Sequence, residues 1–480
     1  MPSRDAQQAA AEAQRLLRTG DYRRALGLTA QLHRAFPLAP PVAAMHAEAL
    51  LRVGRARQAN LAIGPVLGLG RSPFESASLR MLAARAAHDA GATEDAVAHL
   101  RKALELRPGE PEVIRLLVDR LLDLDRADEA ADLMGPRPSA GTAPVWLRLC
   151  QRRGEPGAAV APLEAVASPD APASVWFALG AAREATGDFA GAFEAYAHAN
   201  ARMEVRPRPG EDRAREFAAT EAARTIGGVP EELPEGAARV VLIVGMPRSG
   251  TSLVEEILCR HSQVGACGES QALPWAAGRV CRDVTRSLTP TAEERQVAAA
   301  RAAYLDELAA ASARDGATVL TDKNPMNLFL LPVAARLLPG LRVVRCRRDA
   351  ADTCFSCFAS PLGRDHRYAC DLGDCGRFYA SAERVLDAAA ARLDGRVHDV
   401  VYEDLVARPE PVVRGMLGFL GLGFEDACLR PQGSGRVVRT ISRDQVRAGI
   451  HAGSVGRASR FGERVSSLRS VLAAEGVGAL

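Results

Sequence analysis

One stretch limits the fold of this chain more than any other. Residues 239–253 read Arg-Val-Val-Leu-Ile-Val-Gly-Met-Pro-Arg-Ser-Gly-Thr-Ser-Leu. The apolar run Val240–Val244 is continuous rather than alternating, the pattern of a strand covered on both faces, as in a parallel sheet. Gly245 to Gly250 then forms a tight turn, and Thr251 to Leu258 reads as a helix. A strand, a glycine-bounded loop and a helix start together make an anion cradle. Backbone N–H groups and the positive end of the helix converge on one point.

The spacing is nearly that of a nucleotide P-loop, G-x-x-x-x-G-K-[ST]. Gly245, Gly250 and Ser252 fit it, but Thr251 stands where the lysine belongs. In NTPases that lysine reaches the terminal phosphates, so its absence argues against ATP or GTP chemistry. A cation, Arg248, lies inside the loop instead. The plainer alternative is a βα turn that carries glycines for its geometry alone. Glycines, hydroxyls and a cation coincide here at a strand's carboxyl end, where α/β folds bind ligands, and that favours the cradle.

The rest of the chain has room for more than this unit. At about 100–200 residues per domain, 480 residues make two to four domains. A net charge of +3 is close to balance and gives no whole-chain reason to expect nucleic acid or an anionic membrane. The first residues are polar, without the apolar region of a secretory signal, and no apolar run is long enough to span a bilayer. The expected location is cytoplasmic, with the ten cysteines reduced.

Residues 5–203 are Ala-rich and helical in pattern throughout. A signature recurs, Gly or Asp and then Ala five positions on: Gly20/Ala25, Gly54/Ala59, Gly91/Ala96, Asp125/Ala130, Gly154/Ala159 and Gly187/Ala192. Successive intervals are 34, 37, 34, 29 and 33 residues. The first residue supplies a turn between two helices, and the small alanine lets them approach. Pro37 and Pro108 end second helices. A period near 34 resembles the tetratricopeptide repeat. Such an array either offers a concave surface to a protein or peptide, or packs on the second half or dimerises. Residues 204–238, broken by Pro207, Pro209, Gly227, Gly228, Pro230 and Pro234, form a linker with one connecting helix from Glu211 to Arg224.

The second domain, 239–470, places further charged residues at predicted strand ends. After the loop helix come Gly268 and Glu269, a carboxylate close to the cradle that is costly without a task or a partner. A helix over 291–314 and a second strand, Ala317–Thr321, lead to Lys323, which points at the same crevice unless it is a surface lysine in a turn. A helix over 328–338 and a third strand, Leu341–Cys346, run into Arg347-Arg348, and a helix begins at Asp349. Ser356 lies two helical turns beyond Arg348. A guanidinium and a hydroxyl so spaced can hold a phosphate, or Arg348 bridges Asp349 or Asp352. Val397–Tyr402 is the fourth strand, followed by a helical stretch to Leu420. Residues 436–460, with Ser442, Gln445 and Arg457, read as a loop rich in anion donors.

The ordered set Gly-Met-Pro-Arg-Ser-Gly-Thr-Ser, Cys-Gly-Glu, Thr-Asp-Lys-Asn-Pro, Cys-Arg-Arg-Asp-x-x-Asp-Thr-Cys-x-Ser-Cys, Val-Tyr-Glu-Asp-Leu and Ser-Arg-Asp-Gln-Val-Arg resembles the sulfotransferases that use 3′-phosphoadenosine 5′-phosphosulfate. The likeness is nearest to bacterial tetratricopeptide–sulfotransferase proteins, and beyond them to tyrosylprotein sulfotransferases. The fold it implies is an all-α solenoid followed by a P-loop-like, parallel-sheet α/β domain. The family resemblance implies that Arg248, Ser249, Gly250, Thr251 and Ser252 hold the 5′-phosphosulfate. By the same likeness Arg348 and Ser356 hold the 3′-phosphate, Lys323 is the catalytic lysine and Glu269 supplies the general base. Tyr402, Ser442, Gln445 and Arg457 match the remaining nucleotide contacts. Where tyrosylprotein sulfotransferases carry a second glutamate this chain has Ser270, and Ala458 stands where an aromatic follows the lysine position held by Arg457.

The reaction implied is sulfuryl transfer to a hydroxyl acceptor, with no metal. The repeats favour a protein or peptide acceptor. Two other functions compete: a P-loop kinase, opposed by Thr251, and a repeat scaffold with an inactive transferase domain, opposed by the presence of Arg248, Lys323, Arg348 and Ser356. Cys354, Cys357, His366, Cys370 and Cys375 cluster in sequence, but their spacing departs from paired zinc ligands.

Overall fold

The computed structural model of the chain describes residues 4–70, 72–203, 207–227, 229, 238–282, 288–312, 314–433, 444 and 449–478. They fall into two compact units, Met1–Ala195 and Tyr196–Leu480.

The first unit is built of helix pairs. Arg4–Thr19 pairs with Tyr22–Ala35, Pro40–Arg52 with Ala56–Ile63, Pro73–Asp89 with Thr93–Leu106, and Pro111–Asp123 with Ala127–Met134. Each of the last three pairs opens with proline at the first helical position, where a missing N–H costs nothing. The signature residues do what the pattern requires. Gly20, Gly54, Gly91, Asp125, Gly154 and Gly187 all have positive φ, from 57° to 89°. Ala25, Ala59, Ala96, Ala130, Ala159 and Ala192 are all fully buried. A left-handed residue reverses the chain, and a side chain of one carbon seats the returning helix. The fifth pair is worn: after Ala143–Arg152 come only a 3₁₀ turn, Pro156–Ala159, and a short helix, Val160–Glu164.

The second unit holds a five-stranded, wholly parallel sheet. Its strands are β1 (Arg239–Val244), β2 (Val264–Ala266), β3 (Val319–Asp322), β4 (Arg342–Arg347) and β5 (Val397–Val401), in the order β2-β3-β1-β4-β5. The sequence pattern yields four of these. The fifth, β2, is a three-residue edge strand, too short to show a period. β1 is central, and Val241 to Val244 are fully buried. The loop helix Thr251–Cys259 lays Leu253, Val254, Ile257 and Leu258 against Val241, Ile243 and Val344. Each such side chain contributes about 1.5–3 kcal/mol when fully buried, so the loop between β1 and this helix is anchored at both ends.

Two other expectations change in detail. The stretch after β5 is two helices, Tyr402–Ala407 and Pro409–Phe419, because Pro409 interrupts it. The helix expected over 328–338 is a 3₁₀ stretch, Pro325–Leu330, then a short α-helix, Leu331–Leu337. Among the described residues no helix is long and apolar enough to cross a membrane.

Candidate active site

In a parallel sheet every strand points the same way, so residues just beyond the strands share one edge. Arg248 follows β1, Glu269 follows β2, Lys323 follows β3, Arg348 follows β4 and Tyr402 follows β5. Five expected site residues thus come from the carboxyl ends of five strands. β1 has β3 on one side and β4 on the other, so the Lys323 and Arg348 strand ends flank the loop.

The loop itself is closely specified. Gly245 has φ +147°, and a Cβ there would lie 2.5 Å from the Cys346 carbonyl oxygen of β4 and 2.9 Å from Ser249 Oγ. Gly250 has φ +100° and precedes the helix without a side-chain cap; a Cβ there would press the Tyr402 ring at 3.0 Å. The helix therefore begins without a side-chain cap from its N-cap residue. Ser249, Thr251 and Ser252 are buried. Ser249 Oγ has no hydrogen-bond partner among the described residues. A buried hydroxyl inside a curl of N–H donors suits an anionic oxygen.

Arginines meet around Ser356, which is 1% exposed. Arg248 Nε donates to Ser356 Oγ at 3.1 Å, and Arg457 Nη1 donates to the same oxygen at 3.2 Å. Arg348 and Ser356 meet through Arg248: Arg348 Nη1 donates to the Arg248 carbonyl oxygen at 3.0 Å. Arg348 also lies over the Tyr402 ring, 4.9 Å from its centre, and Arg457 over Phe355 at 5.3 Å. Burial, then the charges of Arg457 and Arg348, pull the Arg248 guanidinium down to about 10. It remains a cation at neutral pH, in a like-charge cluster that an anion would relieve.

Arg248 also carries left-handed backbone, φ +71°. That is costly for a long side chain, and such strain marks functional loops. Tyr402 O–H donates to the His451 carbonyl at 3.3 Å.

The second group is a single ion pair. Lys323, 1% exposed, holds its Nζ 2.6 Å from Glu269 Oε1, and Glu269 is about half exposed. Glu269 therefore faces outward while the lysine is held inside. Lys323 N–H also donates to the Gly268 carbonyl at 3.0 Å. Glu255 of the loop helix fixes the same segment, accepting from Gly268 N–H at 2.9 Å and Thr321 Oγ1 at 2.8 Å. Beside it, burial raises the Asp322 carboxyl to about 7, the Tyr304 O–H bond at 2.9 Å pulling the other way.

Ser442 and Gln445 lie outside the described residues. Cys354, Cys357 and Cys375 are fully buried; burial pushes the Cys354 and Cys375 thiols up, and the hydrogen bond with Cys375, then burial, pushes the Cys357 thiol up. The Cys357 thiol donates to the Pro247 carbonyl of the loop at 3.3 Å. No group of three or more His, Cys, Asp or Glu among the described residues could hold a metal.

Sequence reasoning missed the supports of this site. Glu255 and Tyr379, whose O–H donates to the Arg348 carbonyl at 3.1 Å, give no motif signal, and Glu403, which accepts from Asp349 N–H at 3.1 Å, stands in the Val-Tyr-Glu-Asp-Leu motif without an assigned role. Asp352 was in view as a motif residue and as an ion-pair partner of Arg348, without its contacts to Gly456 and Ala458.

Comparison with known proteins gives the families that these residues resemble. Residues 241–426 match the family model described as the sulfotransferase family, and residues 87–153 match a tetratricopeptide repeat model. One part of the chain is thus similar to tetratricopeptide repeats and another to the sulfotransferase family. An uncharacterized protein of Aquifex aeolicus is 28% identical over 250 residues, 49% of this chain and 32% of that protein. Protein-tyrosine sulfotransferase 1 of Danio rerio is 25% identical over 198 residues, 40% of this chain and 55% of that protein. The chain thus spans about a third of the length of the first and about half of the second. Among solved structures, the sulfotransferase domain from the curacin biosynthetic pathway covers 51% of this chain and 99% of its own, with 16% identity and a TM-score of 0.32. A tetratricopeptide protein of Thermus thermophilus covers 41% of this chain and 91% of its own, with 16% identity and a TM-score of 0.27.

Proposed function

We propose that residues 239–470 transfer a sulfuryl group from 3′-phosphoadenosine 5′-phosphosulfate to a hydroxyl, on a protein or peptide that the repeats recruit. The observation that carries this reading is that two sets of groups suited to anions lie on one sheet edge. One is the uncapped loop helix with Ser249, Thr251 and Ser252; the other is Ser356 with Arg248, Arg348 and Arg457. A donor with a 5′-phosphosulfate and a 3′-phosphate needs two such sites, whereas a nucleoside triphosphate concentrates its charge in one. The orphaned Ser249 hydroxyl and the partnerless Arg348 Nε, both buried, fit further acceptor oxygens.

In the reaction the acceptor O–H loses its proton to Glu269 as its oxygen bonds to sulfur. The bond from sulfur to the bridging oxygen breaks in line, and Lys323 donates to that oxygen as it leaves. The Lys323–Glu269 pair at 2.6 Å keeps these two groups adjacent and oppositely charged. Names of relatives that include protein-tyrosine sulfotransferase favour a protein hydroxyl as acceptor. The test has two parts. Adenosine 3′,5′-bisphosphate should raise the melting temperature where ATP with Mg²⁺ does not, and labelled sulfate should pass from donor to protein. Stabilisation by ATP alone would reinstate the kinase reading.

A further inference from the structure

The helix Ala350–Phe358 carries Ser356, and one turn before it lies Asp352, 2% exposed. A buried carboxylate beside an arginine usually reads as that arginine's counter-ion. The distances say otherwise. Asp352 Oδ2 is 3.6 Å from Arg348 Nη2, too long for a good hydrogen bond. Its oxygens accept instead from two backbone groups, Gly456 N–H at 2.7 Å on Oδ2 and Ala458 N–H at 2.7 Å on Oδ1. These flank Arg457 in the chain. Arg348 bonds the same turn from its other side, donating to the Ser454 carbonyl.

We infer that Asp352 is a positioning residue whose carboxylate fastens the Gly456–Ala458 turn and so delivers Arg457 to Ser356, making this turn the source of selectivity for a 3′-phosphorylated donor. Both oxygens are committed to the turn, so the carboxylate leaves the guanidinium of Arg348 without a close bidentate partner. Gly456 takes φ +68°, a conformation that glycine adopts without strain, in the turn whose Gly456 and Ala458 N–H groups reach one carboxylate. Phe355 completes the seat: its ring lies under Arg457 at 5.3 Å and against Phe461 at 4.1 Å. Without the carboxylate, Arg457 has lost its backbone anchor on both sides. Asn at this position accepts one N–H, but its amide hydrogens oppose the other.

This inference rests on the donor reading above, and one experiment separates the two. Dissociation constants of adenosine 3′,5′-bisphosphate and adenosine 5′-phosphate are measured calorimetrically for the full chain, D352N, R457A and the double variant. The wild type should prefer the bisphosphate. D352N should lose about tenfold to a hundredfold of its bisphosphate affinity, the scale of charge-assisted hydrogen bonds. Its monophosphate affinity should move less than about threefold, and the double variant should be no weaker than R457A by more than that. If D352N keeps the wild-type preference, or if the two losses multiply, the positioning role is wrong. If the wild type itself shows no preference, the donor reading falls and takes this inference with it. Should D352N not fold, D352E keeps the charge, displaces it by one methylene, and carries the same expectation with a smaller loss.

Discussion

Among the described residues two besides glycine hold left-handed backbone, one in each unit: Asp125 at φ +57° and Arg248 at φ +71°. Asp125 closes a repeat turn where five equivalents are glycine, and its short polar side chain tolerates the conformation. Its ion pair to Arg152, 27 residues on, at 2.8 Å is exposed and places no demand on its backbone. Arg248 has no such local excuse. It is held by Arg348, 100 residues on, and by Ser356, 108 residues on. One unit obtains its unusual backbone from its own local sequence; the other imposes it by long-range contact, at a site.

The largest expected effect tests the imposed side. Lys323→Ala should lower turnover by about 10²–10³, the cost of losing one donor to developing charge, and Arg248→Ala should lower it through a weakened hold on the donor beside Ser356. Initial rates of labelled sulfate transfer from the donor measure this. Wild-type rates in either variant would remove that residue from the chemistry.

Next comes the same substitution made in both units. Gly91→Ala meets no atom within 4 Å, so it bears only the left-handed penalty, about 1–2 kcal/mol. Gly245→Ala adds a clash with a backbone oxygen at 2.5 Å, and about 3 kcal/mol or more is expected from strain plus overpacking. Urea denaturation should rank them so. Donor affinity should fall for Gly245→Ala alone. Equal losses of stability would mean that the β1–β4 approach is less tight than it is drawn.

The same contrast governs what could be read in advance. The repeat turns and their alanines were legible because each Gly-to-Ala step is a local rule, and all six hold. Strands β1, β3, β4 and β5 were legible because apolar runs mark buried parallel strands, and Gly245, Lys323 and Arg348 could be placed from them. What was not legible depends on contact across the sheet. Arg248 was read as a loop cation facing the phosphosulfate, and no spacing rule shows its guanidinium reaching Ser356 on another element. Asp352 gave no hint that its oxygens are held by Gly456 and Ala458, more than 100 residues away. Pro409, by contrast, was a visible helix breaker that the reading passed over.

A third effect is a pH dependence in the sheet unit. The Asp322 carboxyl is raised from 3.8 to about 7 by burial. Between those values the folded chain holds a proton that the unfolded chain has lost. Stability from this group therefore falls as pH rises, and the loss is complete once pH passes about 7. Asp322→Asn removes the titration while keeping an acceptor for Tyr304. The variant should exceed the wild type at pH 8, by up to about 4 kcal/mol, with the gap closing toward pH 4. A constant gap across denaturation curves at pH 4, 6 and 8 would show that the carboxyl does not titrate as stated.

The smallest effect returns to the two left-handed residues. Asp125→Gly relieves some backbone strain but frees the unfolded chain and removes an exposed ion pair, so these contributions nearly cancel. Its stability should stay within about 0.5 kcal/mol of wild type, with donor affinity unchanged. Arg248→Gly relieves a larger strain and removes a cation crowded by Arg348 and Arg457, while losing the bond to Ser356. Its stability should therefore also change little, by about 1 kcal/mol or less, yet bisphosphate affinity should fall sharply. Thermal melts and calorimetry on the pair separate a turn residue from a site residue. If Arg248→Gly lost stability on the scale of Gly245→Ala, the arginine would be holding the loop's shape rather than waiting for an anion.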